Sequence, residues 1–105
     1  MEKFAWKGRI KPGMAREYKA RHDRIWPEMV ELLHKAGIHN YSIWSDGETL
    51  FGYYECEHGV AFAEQTQAGS EVVDRWNEYM QDVLELEMDP VTGAQPKMTQ
   101  MFDLP

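Results

Sequence analysis

Residues 38–57 read IHNYSIWSDGETLFGYYECE. The segments 38–45 and 48–57 are rich in aromatic and branched side chains, and the Asp46-Gly47 pair between them favours a tight hairpin turn, because glycine accepts positive φ without steric penalty. Two antiparallel strands joined by that turn are expected. Alternation along the second strand places Leu50, Tyr54 and Cys56 on one face and Phe51 and Tyr53 on the other. Both faces are therefore apolar, whereas a sheet with one solvated face would alternate apolar with polar residues. Such a sheet needs a cover on each side.

Upstream, KFAWKGRIK (3–11) alternates Phe4, Trp6, Gly8 and Ile10 with Ala5, Lys7 and Arg9, which predicts a half-buried strand. Pro12-Gly13 ends it. From Met14, the spacing Met14, Tyr18, Arg21, His22, Ile25 follows one helical face until Pro27, which disfavours helical backbone at Trp26 and suits the first turn of a new helix, PEMVELLHKAG (27–37). Gly37 is the natural stop. Downstream, 59–68 is a weak helix candidate. Ser70 caps a clearer helix with Val72, Val73, Trp76, Met80, Val83 and Leu84 at inward spacing. A loop over 89–96 and an alternating last strand over 97–104 complete the chain.

The order strand, helix, strand, strand, helix, strand predicts an α+β, ferredoxin-like βαββαβ fold: an antiparallel sheet with helices on one face. The uncovered apolar face is most simply closed by a second copy of the same sheet, so the expected assembly is a dimeric α+β barrel, a homodimer through sheet faces. With 105 residues, the chain is expected to form a single domain spanning 1–105.

A net charge of −7 argues against nucleic acid and anionic membrane surfaces as partners. The single Cys56 cannot form an internal disulfide, and the opening residues lack a signal-peptide apolar core, so a cytoplasmic location is expected. No phosphate loop, HExxH, paired Cys-x-x-Cys or Gly-x-Ser-x-Gly motif is present, and His22, His34, His39 and His58 have no short ligand spacing. Neither a metal nor another cofactor is expected. Four Trp, five Tyr and four Phe in so short a chain are the compositional surplus that asks for an explanation.

Tyr18 and His22, four residues apart, stack on the inward face of the first helix. An imidazole neutral near pH 7 offers one donor and one acceptor, and a neighbouring phenol can orient a hydroxyl or relay its proton, which suits acid-base chemistry. A hydrogen-bonded core histidine beside a packing tyrosine is the structural alternative. Trp76 lies on the inward stripe of the last helix with Asn77 at its edge, while Tyr41 and Trp44 point to opposite sheet faces. Aromatic faces stack on the C–H faces of a sugar while Tyr, His and Asn bond its hydroxyls, so a neutral monosaccharide fits this inventory.

The stretches EYKARHDRIWPEMVELLHKAGIHNYSIW (17–44), DRWNEYMQDV (74–83) and MFDLP (101–105) together resemble the L-rhamnose mutarotase family. The most specific parts are the Tyr-x-x-x-His pair, Ile-Trp-Pro-Glu at 25–28 and His-Asn-Tyr at 39–41. The resemblance implies a dimeric isomerase that interconverts the α and β anomers of L-rhamnose, or a close 6-deoxy sugar, without cofactor. It implies His22 as the general acid, Tyr18 and Tyr41 as sugar contacts, and Trp76 as the first of two adjacent site tryptophans. Asn77 stands where some members carry the second tryptophan, which puts the sugar fit in question. Two other readings compete with this one: a cofactor-free oxygenase on a similar barrel, and a non-catalytic small-ligand-binding protein.

Overall fold

The turn expected at Asp46-Gly47 joins β2 (Ile38–Asp46) to β3 (Thr49–Cys56), with Gly47 at φ 62°. The structure, a computed structural model, describes residues 1–88, 90–91 and 95–105. Along its other edge β3 pairs antiparallel with β1 (Glu2–Ile10). Between β1 and β2 run α1 (Ala15–Asp23) and α2 (Pro27–Lys35); between β3 and the short β4 (Leu84–Glu85) run α3 (Val60–Ala68) and α4 (Glu71–Met80). The sheet order is β2-β3-β1-β4, antiparallel throughout, which is the ferredoxin-like topology with each helical crossover broken into two pieces.

The breaks have local causes. Trp26 is extended (φ −62°, ψ 134°), and Pro27, which could not donate to a continuing helix, opens α2 at the position where no donor is needed. Gly37 at φ 77° ends α2 in the left-handed conformation that a side chain would resist. Ser70 starts α4, its hydroxyl accepting from the Val73 N–H at 3.3 Å.

The inner sheet face presents Phe4, Trp6 and Ile10 from β1 and Leu50, Tyr54 and Cys56 from β3, all buried against Tyr18, Met29, Ala63, Val73, Trp76 and Met80 of the helices. Trp6 stands opposite Gly52 in the ladder, and a Cβ on Gly52 would fall within the indole itself. The ring thus lies flat across the neighbouring strand, where only glycine leaves room for it.

The last strand departs from expectation. The place beside β1 is shared by Leu84–Glu85, opposite Ile10 and Arg9, and by Lys97, which forms a single bridge with Trp6 while the Met98 N–H donates to the Ala5 carbonyl at 2.7 Å. Pro96 has no N–H to extend that pairing upstream, and from Thr99 the chain leaves the ladder. The segment 97–104 is exposed throughout and forms a tail along the outer sheet face, tied there by the Lys3–Asp103 ion pair, rather than a sheet strand. Part of the loop expected over 89–96 lies outside the described residues. Among the described residues no helix is long and apolar enough to cross a membrane.

Replacing Gly52 with Ala should lower stability by about 1–3 kcal/mol through overpacking against Trp6. Urea unfolding reads the change, and an unchanged midpoint would mean that the indole is free to move aside.

Candidate active site

α1 supplies the titratable pair. Tyr18 is buried and His22 half-buried, their ring centroids 4.4 Å apart. The His22 Nδ1 lies 3.1 Å from the Tyr18 carbonyl oxygen. A carbonyl only accepts, so Nδ1 carries the hydrogen and donates it, and in the neutral ring Nε2 holds the free lone pair. Burial lowers the His22 pKa below the usual histidine value, opposed in part by that backbone hydrogen bond. At neutral pH the ring rests uncharged.

The phenols are kept protonated by the same desolvation. Burial pushes Tyr18 well above its ordinary value, and nearby Tyr41 adds to the effect. Tyr41 is itself pushed up to about 12 by burial. Although 39% of Tyr41 remains accessible, its hydroxyl is the desolvated end, accepting from the buried Trp6 indole N–H at 3.2 Å. Its ring packs against Tyr54 at 5.0 Å, and Tyr54 stacks on Phe4 at 5.0 Å. Trp44 is 70% exposed, on the opposite sheet face from Tyr41.

From His22 an aromatic wall runs outward. Trp76 meets the imidazole edge-on at 5.5 Å, Trp26 meets Trp76 edge-on at 5.1 Å, and Tyr79 stacks on Trp26 at 5.4 Å. The structure therefore brings Tyr18, His22 and Trp76 together, with Tyr41 close by on the sheet. Asn77 is exposed on α4 and lies outside this wall.

Trp26 and Tyr79 are members that sequence reasoning passed over. Tyr79 follows Trp76 by three, a spacing that shares a helical side, so a signal existed. Trp26 belongs to no periodic element, since Pro27 holds it in the turn between helices, and its signal was the Ile-Trp-Pro-Glu motif at 25–28. Arg21 locks the wall in place. Its guanidinium, on a side chain 10% exposed, donates to the Tyr79 carbonyl at 2.7 Å and to both Asp82 oxygens at 2.7 and 3.1 Å, and it lies 4.4 Å over the Tyr79 ring. One cation thereby satisfies the carboxyl end of α4 and ties it to α1. That pairing holds the Asp82 carboxyl below its usual pKa.

Among the described residues no three His, Cys, Asp or Glu side chains converge as a metal-binding set. What the cluster offers is one imidazole with a single free nitrogen, phenols that stay protonated, and flat apolar rings. That combination suits proton transfer on a neutral, hydroxylated ring.

Comparison with known proteins points to one family. The family model described as L-rhamnose mutarotase matches residues 3–104. An L-rhamnose mutarotase of Sinorhizobium fredii is 45% identical over 101 residues, covering 94% of this chain and 95% of that one. One from Bacteroides thetaiotaomicron is 38% identical over 105 residues, covering 96% and 99%. The crystal structure of an L-rhamnose mutarotase from Formosa agariphila superimposes with a TM-score of 0.81 at 29% identity, covering all of both chains.

Arg21→Met should lower the urea midpoint, because it removes the guanidinium bonds to Asp82, the Tyr79 carbonyl and Glu17. Arg21→Lys should not restore it, since an ammonium cannot form the two-pronged contact. Full recovery with lysine would show that charge alone, not the fork, holds α1 to α4.

Proposed function

We propose that this chain, which belongs to the L-rhamnose mutarotase family, interconverts the α and β anomers of L-rhamnose, or of a closely related 6-deoxy sugar, by acid-base ring opening and reclosure. Family membership favours this isomerase over the oxygenase and the non-catalytic ligand binder. The observation that carries the chemistry is the Nδ1 tether of His22, which leaves only Nε2 to act.

The anomeric hydroxyl and the ring oxygen are bonded to the same carbon, so one nitrogen can serve both. Nε2 takes the proton from the anomeric hydroxyl. The electron pair freed there forms the aldehyde C=O, the C1–ring-oxygen bond breaks with its pair on the ring oxygen, and the imidazolium returns the proton to that oxygen. The resulting open chain turns its aldehyde about C1–C2, and the same steps in reverse close the ring on the other face. His22 is thus the proton donor to the ring oxygen, charged by the substrate itself. Such catalysis contributes about 10²- to 10⁴-fold, which is useful because the reaction already proceeds in water.

Tyr18 and Tyr41 serve as neutral donors to sugar hydroxyls. Tyr41 keeps its own proton for this, because Trp6 uses only its lone pair. Trp76 supplies a flat face for the sugar carbons, with Trp26 beside it. Asn77, exposed next to Trp76, would meet the sugar at the rim of the site, where an amide replaces a stacking ring by hydrogen bonding.

The assembly in this reading is a homodimer through the outer sheet faces. Its support is an apolar outer surface that the single chain leaves open: Phe51 and Tyr53 are only half-buried, Trp44 is exposed, and in the tail Met101 is 91% and Phe102 69% exposed. A buried free Cys56 is compatible with the reducing cytoplasm, where we place the protein.

His22→Ala should remain folded and lose about 10²- to 10⁴-fold in anomer exchange, followed by NMR magnetisation transfer on L-rhamnose. Near-parent exchange in a folded variant would remove His22 from the chemistry. Sedimentation should find a dimer that Phe51→Glu converts to monomer; a parent monomer would contradict the assembly.

A further inference from the structure

Asn40 stands out in the backbone. It has φ 51°, the one positive value among non-glycine residues in the described part of the chain. The ladder between β2 and β3 slips at the same place. Ile38 pairs with Cys56 and His39 with Glu55, but the next pair is Ser42 with Tyr53. Three steps along β2 match two along β3, so β2 carries one extra residue, a bulge with Asn40 in its left-handed position.

The extra residue reverses the parity of everything after it. Ile38 is buried on the inner face, and strict alternation would send residues 41 and 43 outward. With the bulge, Tyr41 turns inward, its hydroxyl against the Trp6 indole N–H and its ring against Tyr54, and Ile43 packs on the core behind it. The conformation is held from across the ladder. The Asn40 side-chain amide donates to Glu55 at 2.6 Å, and the other oxygen of that carboxylate accepts from the Tyr53 hydroxyl at 2.7 Å. Asparagine is the residue besides glycine that enters the left-handed region most readily, and here its side chain also has a partner.

We infer that Asn40 is a positioning residue for sugar binding: its left-handed bulge aims Tyr41 into the site, so the Tyr41 contact depends on the backbone at residue 40. This rests on the reading of Tyr41 as a sugar contact given above. A branched residue at 40 would resist the bulge and favour regular pairing, which points Tyr41 to the outer face. Glycine would keep the bulge without the amide.

The test is anomer exchange of L-rhamnose by NMR, as kcat and KM, for Asn40→Val, Asn40→Gly, Tyr41→Ala and the Asn40→Val/Tyr41→Ala pair. Asn40→Val should lower kcat/KM about tenfold or more, mainly through KM, whereas Asn40→Gly should stay within about twofold of the parent. On the Tyr41→Ala background Asn40→Val should add no more than about a further twofold loss, since both changes remove one contact. The Trp6 indole N–H resonance should move in Asn40→Val and in Tyr41→Ala alike, independently of activity, and an unmoved resonance in Asn40→Val would overturn the inference. If Asn40→Val does not fold, Asn40→Ala takes its place and should give a smaller loss of the same kind. Parent-like kcat/KM in Asn40→Val or Asn40→Ala, equal damage in Asn40→Gly, or full additivity in the double variant would overturn the inference alone, provided Tyr41→Ala is impaired. A parent-like Tyr41→Ala would remove both the Tyr41 contact and the role of Asn40.

Discussion

The Trp6 indole lying across Gly52 is the contact on which the inner face depends. A large flat ring in a central strand normally stands off its neighbour; here the absence of a Cβ lets it lie down across the adjoining strand, with its N–H directed toward β2. That N–H would be an unsatisfied donor in the core without Tyr41, and leaving it unpaired would cost about 1–3 kcal/mol. One glycine on β3, one tryptophan on β1 and one tyrosine on β2 therefore fix each other across three strands. The candidate site thus rests on a core residue, Trp6, through the hydroxyl of a tyrosine whose ring stays partly exposed.

The opposite wall is organised by α1. The helix spacing that stacks Tyr18 under His22 also brings the Tyr18 carbonyl to Nδ1, so the main chain sets the tautomer of the imidazole. Burial then keeps the ring uncharged, and the same burial keeps the phenols protonated. A neutral imidazole and protonated phenols therefore stand side by side, with Asp23 the charged neighbour that acts on His22. That fits a neutral sugar, whose overall conversion leaves neither the ring nor the imidazole charged.

Much of this architecture was legible in the chain. The Asp46-Gly47 turn, the break at Pro27, the stop at Gly37 and the Ser70 cap are all imposed by local stereochemistry, and each is found where the residue types require it. The Tyr18–His22 pair was legible because helix geometry alone brings positions four apart together. The final strand was not, because the imperfect alternation of 97–104 cannot say whether its backbone joins a ladder, and only Lys97 makes a bridge. Nor does a period of two reveal its own interruption: the bulge at Asn40 is a backbone event, and it reverses the facing of Tyr41 relative to Ile38. Periodicity gave no role to Trp26, because turn residues carry none; only the Ile-Trp-Pro-Glu motif marked it.

The central claim is that His22 rests neutral with its hydrogen on Nδ1 and its lone pair on Nε2. The most direct measurement is ¹⁵N NMR of the ring nitrogens in the labelled protein as pH is lowered. The account predicts a protonated, pyrrole-type Nδ1 and an unprotonated, pyridine-type Nε2 at pH 7, with charging of the ring only below the ordinary histidine value of about 6.5. A ring that is already charged at pH 7, or one whose hydrogen sits on Nε2, would contradict it.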